Sequence, residues 1–426
     1  MSRLWCELAW LGGERAEPGV LLEIDGDRIV AVTRGAPPGD AERQAGLTLP
    51  GVANAHSHAF QRALRGRTHS GEGSFWTWRE QMYALATRLD PDSYFKLARA
   101  TFAEMALAGI TLAGEFHYLH HAPDGTSYDD PNAMGEAVVA AAAAAGVRLS
   151  LLDACYLRGG IERFRDADAG AWAERVGALR DGPALRIGAA IHSVRAVDAE
   201  SARTVAEWSA ARPLHAHVSE QPAENEACLA EHGATPTAVL AAAGAVSEGF
   251  SAVHATHLSD EDVALLGPAS VCLCPTTERD LGDGIGPARR LRHAGARLSL
   301  GSDSQAVIDL FEEARAVELD ERLASGARGL HRPADLLSAA TANGYAGLGW
   351  PDGGRLEAGG LADLVTISLD GVRLVGTPPE HAVEAAVFAA AAGDVRHVMM
   401  GGRWIVRDGV HVALDVPGEL RAALAR

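Results

Sequence analysis

Pro50-Gly51-Val52-Ala53-Asn54-Ala55-His56-Ser57-His58 is a mostly apolar run that ends in two histidines one residue apart. Extended chain points residues i and i+2 the same way, so both imidazoles can reach one cation. An HxH pair alone is a weak signal, since core and surface histidines are common. What decides its meaning is repetition downstream. Eight short apolar runs alternate with longer Ala/Leu/Glu/Arg segments: Leu47 to Ala53, Ile110 to Phe116, Val147 to Tyr156, Leu185 to Ile191, Pro213 to Val218, Ser251 to Ala255, Ala269 to Cys274 and Ala296 to Leu300. That alternation predicts an α/β fold of eight βα units closed into a (β/α)8 TIM-type barrel, with its chemistry at the C-terminal strand ends. The runs lead straight into reactive residues: His56 and His58, Glu115 and His117, His192 and Arg195, His217 and Glu220, His254, Thr276, and Asp303.

The chain ends have a different texture. Val20 to Ile24, the turn Asp25-Gly26-Asp27, and Arg28 to Val32 read as a hairpin. Ala362 to Leu369 and His397 to Val412 repeat the pattern, with Gly401-Gly402 and Asp408-Gly409 turns. Residues 52–354 are therefore expected to form the catalytic barrel. Residues 1–51 and 355–426 are expected to form a small composite β-sandwich domain.

A formal net charge of −18 argues against nucleic acid or an anionic membrane as partner, because both select basic patches. An anionic small substrate would need a local arginine pocket set against that global field. Almost all positive charge is arginine, since Lys96 is the sole lysine. The five cysteines (Cys6, Cys155, Cys228, Cys272, Cys274) do not read as a disulfide framework. Glu7 and Glu14 interrupt any signal-peptide core, and the alanine-rich stretch from Ala137 to Gly146 is too short to span a bilayer. The expectation is a reduced, cytoplasmic protein.

His217 closes the fifth strand candidate, His254 the sixth and Asp303 the eighth. Three imidazoles and one carboxylate suit a borderline divalent ion such as Zn²⁺ with a position left for water. His215 shares a face with His217, so His215-Ala216-His217 can itself be read as an HxH pair. The plainer reading puts His215 one layer lower in the barrel. His257, His69, His120, His121, His232, His293, His331, His381, His397 and His411 lack a supporting pattern and read as surface, loop or structural residues.

These motifs resemble the amidohydrolase superfamily in its mononuclear deaminase branch, and the framework covers nearly the whole chain, including the returning segment Gly359 to Val365. The resemblance implies that His56, His58, His217 and Asp303 bind one metal per subunit, Zn²⁺ or alternatively Fe²⁺ or another divalent ion. It implies that Glu220 shuttles protons, that His254 holds the attacking hydroxide, and that Asp303 doubles as base. Binuclear members bridge two ions with a fourth-strand lysine. That strand has none here, and Lys96 falls on an apparent amphipathic helix from Ser93 to Leu107.

Within the superfamily, His58 to Gly66, Phe75 to Glu80, Glu115 to Tyr118, and His192 to Arg195 resemble the formiminoglutamate deiminases. That resemblance implies hydrolysis of N-formimino-L-glutamate to N-formyl-L-glutamate and ammonia, a step of histidine degradation. It places Gln61, Tyr118, His192 and Arg195 around the substrate. Arg79, read as a loop residue between aromatics, would reach in from the neighbouring subunit of a homodimer. Arginine forks suit a dicarboxylate; taken singly, each arginine reads as an ordinary surface ion pair. The alternatives are a deaminase of a neutral heterocycle (guanine, adenosine or S-adenosylhomocysteine type), which needs no paired arginines, and a non-catalytic barrel scaffold, which should have lost metal ligands.

Overall fold

Gly51 is where the chain leaves one sheet for another. Its backbone lies so close to Thr111, Asp363 and Tyr345 that a Cβ would stand 2.2 Å from the Thr111 hydroxyl, a fit only glycine allows. The single strand expected over Leu47 to Ala53 is therefore two. One belongs to each sheet, and the break falls where the two sheets meet.

The computed structural model describes residues 1–69 and 73–425. Its first strands are β1 (Ser2–Ala9), β2 (Glu17–Asp25), β3 (Arg28–Thr33) and β4 (Glu42–Pro50). The next eight are β5 (Val52–Ser57), β6 (Ile110–His117), β7 (Arg148–Cys155), β8 (Leu185–Ile191), β9 (Leu214–Val218), β10 (Phe250–His254), β11 (Ser270–Leu273) and β12 (Arg297–Leu300). The chain ends with β13 (Leu364–Ile367), β14 (Val395–Met400), β15 (Arg403–Arg407) and β16 (Val410–His411).

Strands β5 to β12 form one all-parallel sheet in sequence order. Most are buried along their whole length, as barrel strands flanked by helices must be. The sheet closes between β5 and the chain just beyond β12. Asn54 bonds Ser302 through both its amide atoms, at 2.7 and 2.9 Å. One step further along, Asp303 N–H donates to His56 O (3.0 Å) and His58 N–H donates to Asp303 O (3.1 Å). The fold is thus a (β/α)8 barrel joined to a second sheet built from both chain ends, in the order β16-β15-β14-β13-β4-β1-β2-β3.

Two helices matter for the site. Helix α1 (Phe75–Ala86) crosses the mouth of the barrel, and α2 (Pro91–Leu107) packs outside it, capped by Asp90, which accepts the Ser93 N–H at 2.7 Å. Arg79 therefore stands on a helix, not in the expected loop. The aromatics around it at Phe75, Trp76, Trp78 and Tyr83 follow helical spacing. Lys96 is exposed on α2, and the alanine-rich run is the helix Ala133–Ala145. Among the described residues no helix is long and apolar enough to cross a membrane, and all five cysteines are buried and free.

Asp363 ties the two sheets together. Its carboxylate accepts Arg148 Nε at 2.7 Å, Arg148 Nη2 at 3.2 Å, the Tyr345 hydroxyl at 2.8 Å and the Gly401 N–H at 2.6 Å. Its carbonyl accepts the Gly51 N–H at 2.8 Å. Asp363 is fully buried and Arg148 nearly so, so removing one partner leaves a desolvated charge. Asp363→Ala is expected to cost about 3–5 kcal/mol in denaturant unfolding. A loss below about 1 kcal/mol, the scale of an exposed pair, would show that the hub does not hold the sheets together.

Candidate active site

The barrel rim carries a concentration of backbone strain. Among the described residues, six non-glycine positions have positive φ, and five of them cluster here: Ser219 (51°), His254 (66°), Ala255 (51°), Asp303 (40°) and Gln305 (61°). Such conformations cost about 1–3 kcal/mol each and persist where the surroundings over-determine them. They fall just past β9, at the end of β10 and just past β12, where the chain must stop being strand and aim side chains inward.

His56, His58 and His217 meet at this rim, all buried. Second partners set the tautomers of His58 and His217. His58 Nδ1 lies 2.9 Å from the Phe116 carbonyl and His217 Nδ1 lies 2.9 Å from the His192 carbonyl. Each Nδ1 must therefore carry the proton, leaving Nε2 bare to act as a donor atom. His56 Nε2 stands 3.2 Å from His217 Nε2, and Asp303 Oδ1 stands 3.5 Å from His56 Nε2 and 3.4 Å from His58 Nε2. Four ligands about 2.0–2.1 Å from a tetrahedral ion lie about 3.3 Å from one another. The donor set thus has the spacing and chemistry of a site for one divalent cation. Burial and mutual repulsion push His56 and His217 well below the usual histidine pKa, which keeps both neutral and available.

His215 points elsewhere. Its Nε2 is 3.1 Å from the Gly347 carbonyl, in the layer beneath, so the second HxH pair contributes only His217. His257 is a packing residue, bonded to the Asp283 carbonyl at 2.7 Å. A second buried group, His117, His120 and Asp153, is not a metal centre, although its donor atoms are close together. Arg175 binds both Asp153 oxygens at 3.0 and 2.9 Å, and Trp172 adds a third bond at 3.1 Å. Burial opposes charge on Asp153, yet Arg175 holds it down to about 2.

Above the metal ligands, His254 stands among carboxylates. Its Nε2 lies 3.7 Å from Glu220 and 3.6 Å from Asp303, and its Nδ1 lies 3.3 Å from Glu278. Burial works against charge on this ring and Glu220, Glu278 and Asp303 favour it. A divalent ion held beside Asp303 would disfavour it again, leaving the ring free to take up a proton.

The expected substrate residues share one cavity. Gln61, Arg79, Tyr118, His192 and Arg195 all line it, together with Glu220, His254 and Asp303. Gln61 Nε2 donates to the Tyr118 hydroxyl at 2.9 Å, leaving a buried Gln61 Oε1 without a partner among the described residues. Arg195 sits 3.4 Å from Glu220 and 3.6 Å from Glu224. Arg79 stacks on Trp76 with its guanidinium 4.4 Å from the ring centre, and its buried Nε has no partner among the described residues. Helix α1 brings Arg79 to the cavity of its own chain.

Sequence reasoning missed Tyr156 and Arg158, which also line the cavity, and Glu278 against the Nδ1 edge of His254. Tyr156 and Arg158 directly follow β7, so the strand-end rule applied to the third barrel strand would have found them. Tyr83 and Trp78 carried only a helical periodicity that reads as packing.

Residues 47–405 match the model of the amidohydrolase family. A formimidoylglutamate deiminase of Pseudomonas aeruginosa is 37% identical over 100% of this chain and 98% of its own. A 5-methylthioadenosine/S-adenosylhomocysteine deaminase of Halobacterium salinarum is 30% identical over 91% of this chain and 88% of its own. A crystal structure of an amidohydrolase from Brucella melitensis superposes with a TM-score of 0.91 at 31% identity, covering 100% of this chain and 99% of that one.

The geometry predicts one tightly bound divalent ion per chain. Removing one of the four donors with His217→Ala should weaken metal affinity by at least about 10–100-fold, read by elemental analysis after dialysis. Two tightly held ions per chain, or unchanged occupancy in His217→Ala, would contradict the assignment.

Proposed function

The chain belongs to the amidohydrolase family and is a hydrolase acting on C–N bonds; from that premise we propose that it converts N-formimino-L-glutamate to N-formyl-L-glutamate and ammonia, in histidine degradation. One observation carries the choice of substrate. Arg79, Arg158 and Arg195 line a single cavity, over the proton-handling groups, in a chain of net charge −18. A neutral purine ring needs none of these cations. A dicarboxylate needs fixed positive charge, and planar guanidinium groups bind carboxylates through paired hydrogen bonds.

His56, His58, His217 and Asp303 would hold Zn²⁺. When bound, the ion supplies Lewis acidity that brings the pKa of water toward ~7. The protein's own groups do the rest. Arg195 and Arg79 bind the carboxylates, and Gln61, Tyr118 and His192 orient the formimino end. Arg195 pairs with Glu220 and Glu224. A substrate carboxylate that takes the guanidinium releases Glu220 for proton transfer. Asp303 and His254 orient the attacking water and take its proton as it adds to the formimino carbon. Glu220, 3.7 Å from His254, carries both protons of that water to the formimino nitrogen. The first moves as the C–O bond forms. The second, from the new hydroxyl, moves as the C–N bond breaks, so that ammonia leaves and the carbon keeps the formyl oxygen.

Ammonia release from N-formimino-L-glutamate, beside guanine, adenosine and S-adenosylhomocysteine, tests this reading. Arg195→Ala should lower kcat/KM by about 2–5 kcal/mol, tens- to thousands-fold. Glu220→Gln should keep its metal and lose about 10²–10⁴ in kcat. An Arg195→Ala variant unimpaired on formiminoglutamate would remove the physical reason for this substrate.

A further inference from the structure

The proposed chemistry uses one edge of His254, the Nε2 that faces Glu220 and Asp303. The opposite edge is also engaged. Its Nδ1 lies 3.3 Å from Glu278 Oε1, and neither group has room to move. His254 is 1% exposed, sits at a strained φ of 66° and stacks on His217 with an interplanar angle of 15°. Glu278 is 5% exposed, on the helix Pro275–Leu281 that follows β11. Its side chain curls back over the start of its own helix, where the same Oε1 accepts the Cys274 N–H at 2.9 Å. The Glu278 N–H in turn donates to the Cys274 carbonyl at 2.9 Å. The carboxylate is therefore pinned to the strand end before it meets the imidazole.

An imidazole that takes a proton at Nε2 must begin with its proton on Nδ1. A carboxylate facing Nδ1 selects that tautomer, fixes the ring's rotation and stabilises the charge that develops. We propose that Glu278 is the positioning residue of the site: it holds His254 as the Nδ1–H tautomer with Nε2 aimed at the attacking water. This deepens the proposed function and rests on its assignment of His254 as a proton acceptor. Glu278 touches neither substrate nor metal ligand in this role. It acts through the ring.

The experiment uses the zinc-loaded full chain, with Glu278→Ala and Glu278→Gln compared with the parent. Glu278→Ala should lower kcat by about 10²–10⁴, the range for losing an acid–base group, with KM changed less than about threefold and one metal per chain retained. Glu278→Gln should recover most of that loss. Both hydrogen bonds fall on one oxygen, and an amide oxygen can accept both. Full activity in Glu278→Ala, or a loss that follows metal content or KM alone, overturns the proposal. Should Glu278→Ala fail to fold, long-range ¹H–¹⁵N correlations of the parent's histidine rings decide the matter. The His254 proton is expected on Nδ1, and a bare Nδ1 with the proton on Nε2 overturns the proposal. Failure of the substrate reading is separable. If the parent prefers a heterocycle, formiminoglutamate is excluded, while the Glu278→Ala to parent ratio on that heterocycle still tests Glu278.

Discussion

Asp303 closes the barrel and faces the metal-binding imidazoles at the same time. Its N–H bonds the His56 carbonyl and its carbonyl accepts the His58 N–H, so the seam between the first and last barrel strands is made by ligand residues. The φ of 40° that turns its side chain inward is over-determined by those two bonds. Beneath it, Asn54 and Ser302 lock the register of the same seam. A slip of one residue would turn every side chain of β5 to the other face and separate HxH from its partners. Fold closure and ligand geometry are one constraint, which explains why a buried asparagine stands among the apolar residues that open β5.

The electrostatics follow from what this rim excludes. Buried, neutral imidazoles suit a cation, and the carboxylates around His254 suit proton transfer. Neither feature welcomes an anionic substrate, and the whole chain is acidic. Arginines on three separate elements answer this locally: Arg79 on α1, Arg158 beyond β7 and Arg195 beyond β8. Two carboxylates hold Arg195 in place before any ligand arrives, and its pKa is raised by Glu224 and Glu220 even though burial opposes its charge. Preorganised charge of this kind needs little rearrangement on binding.

Much of this was legible in the amino-acid sequence, for physical reasons. Parallel strands buried on both faces leave unbroken apolar runs, so seven of the eight barrel strands lie within a residue or two of their expected positions. Histidines and acids at strand ends marked the rim. The exceptions are also instructive. Leu47 to Ala53 hid a change of sheet, because β4 and β5 are both buried and only the crowding at Gly51 separates them. Arg79 looked like a loop residue because aromatics at helical spacing, without a strong apolar face, resemble a decorated turn. Glu278 could not be found at all by spacing. Its role depends on a short helix folding its carboxylate back under a residue from another strand.

In the proposed reaction the cavity selects its substrate by carboxylate charge. The most direct measurement compares kcat/KM of the zinc-loaded chain for N-formimino-L-glutamate with that for its uncharged diamide, which keeps the reacting group and the shape. Loss of paired carboxylates should cost at least about 10²-fold, the scale of a desolvated arginine–carboxylate contact. Equal or faster turnover of the diamide would contradict the account, because the arginines would then have no part in choosing the substrate.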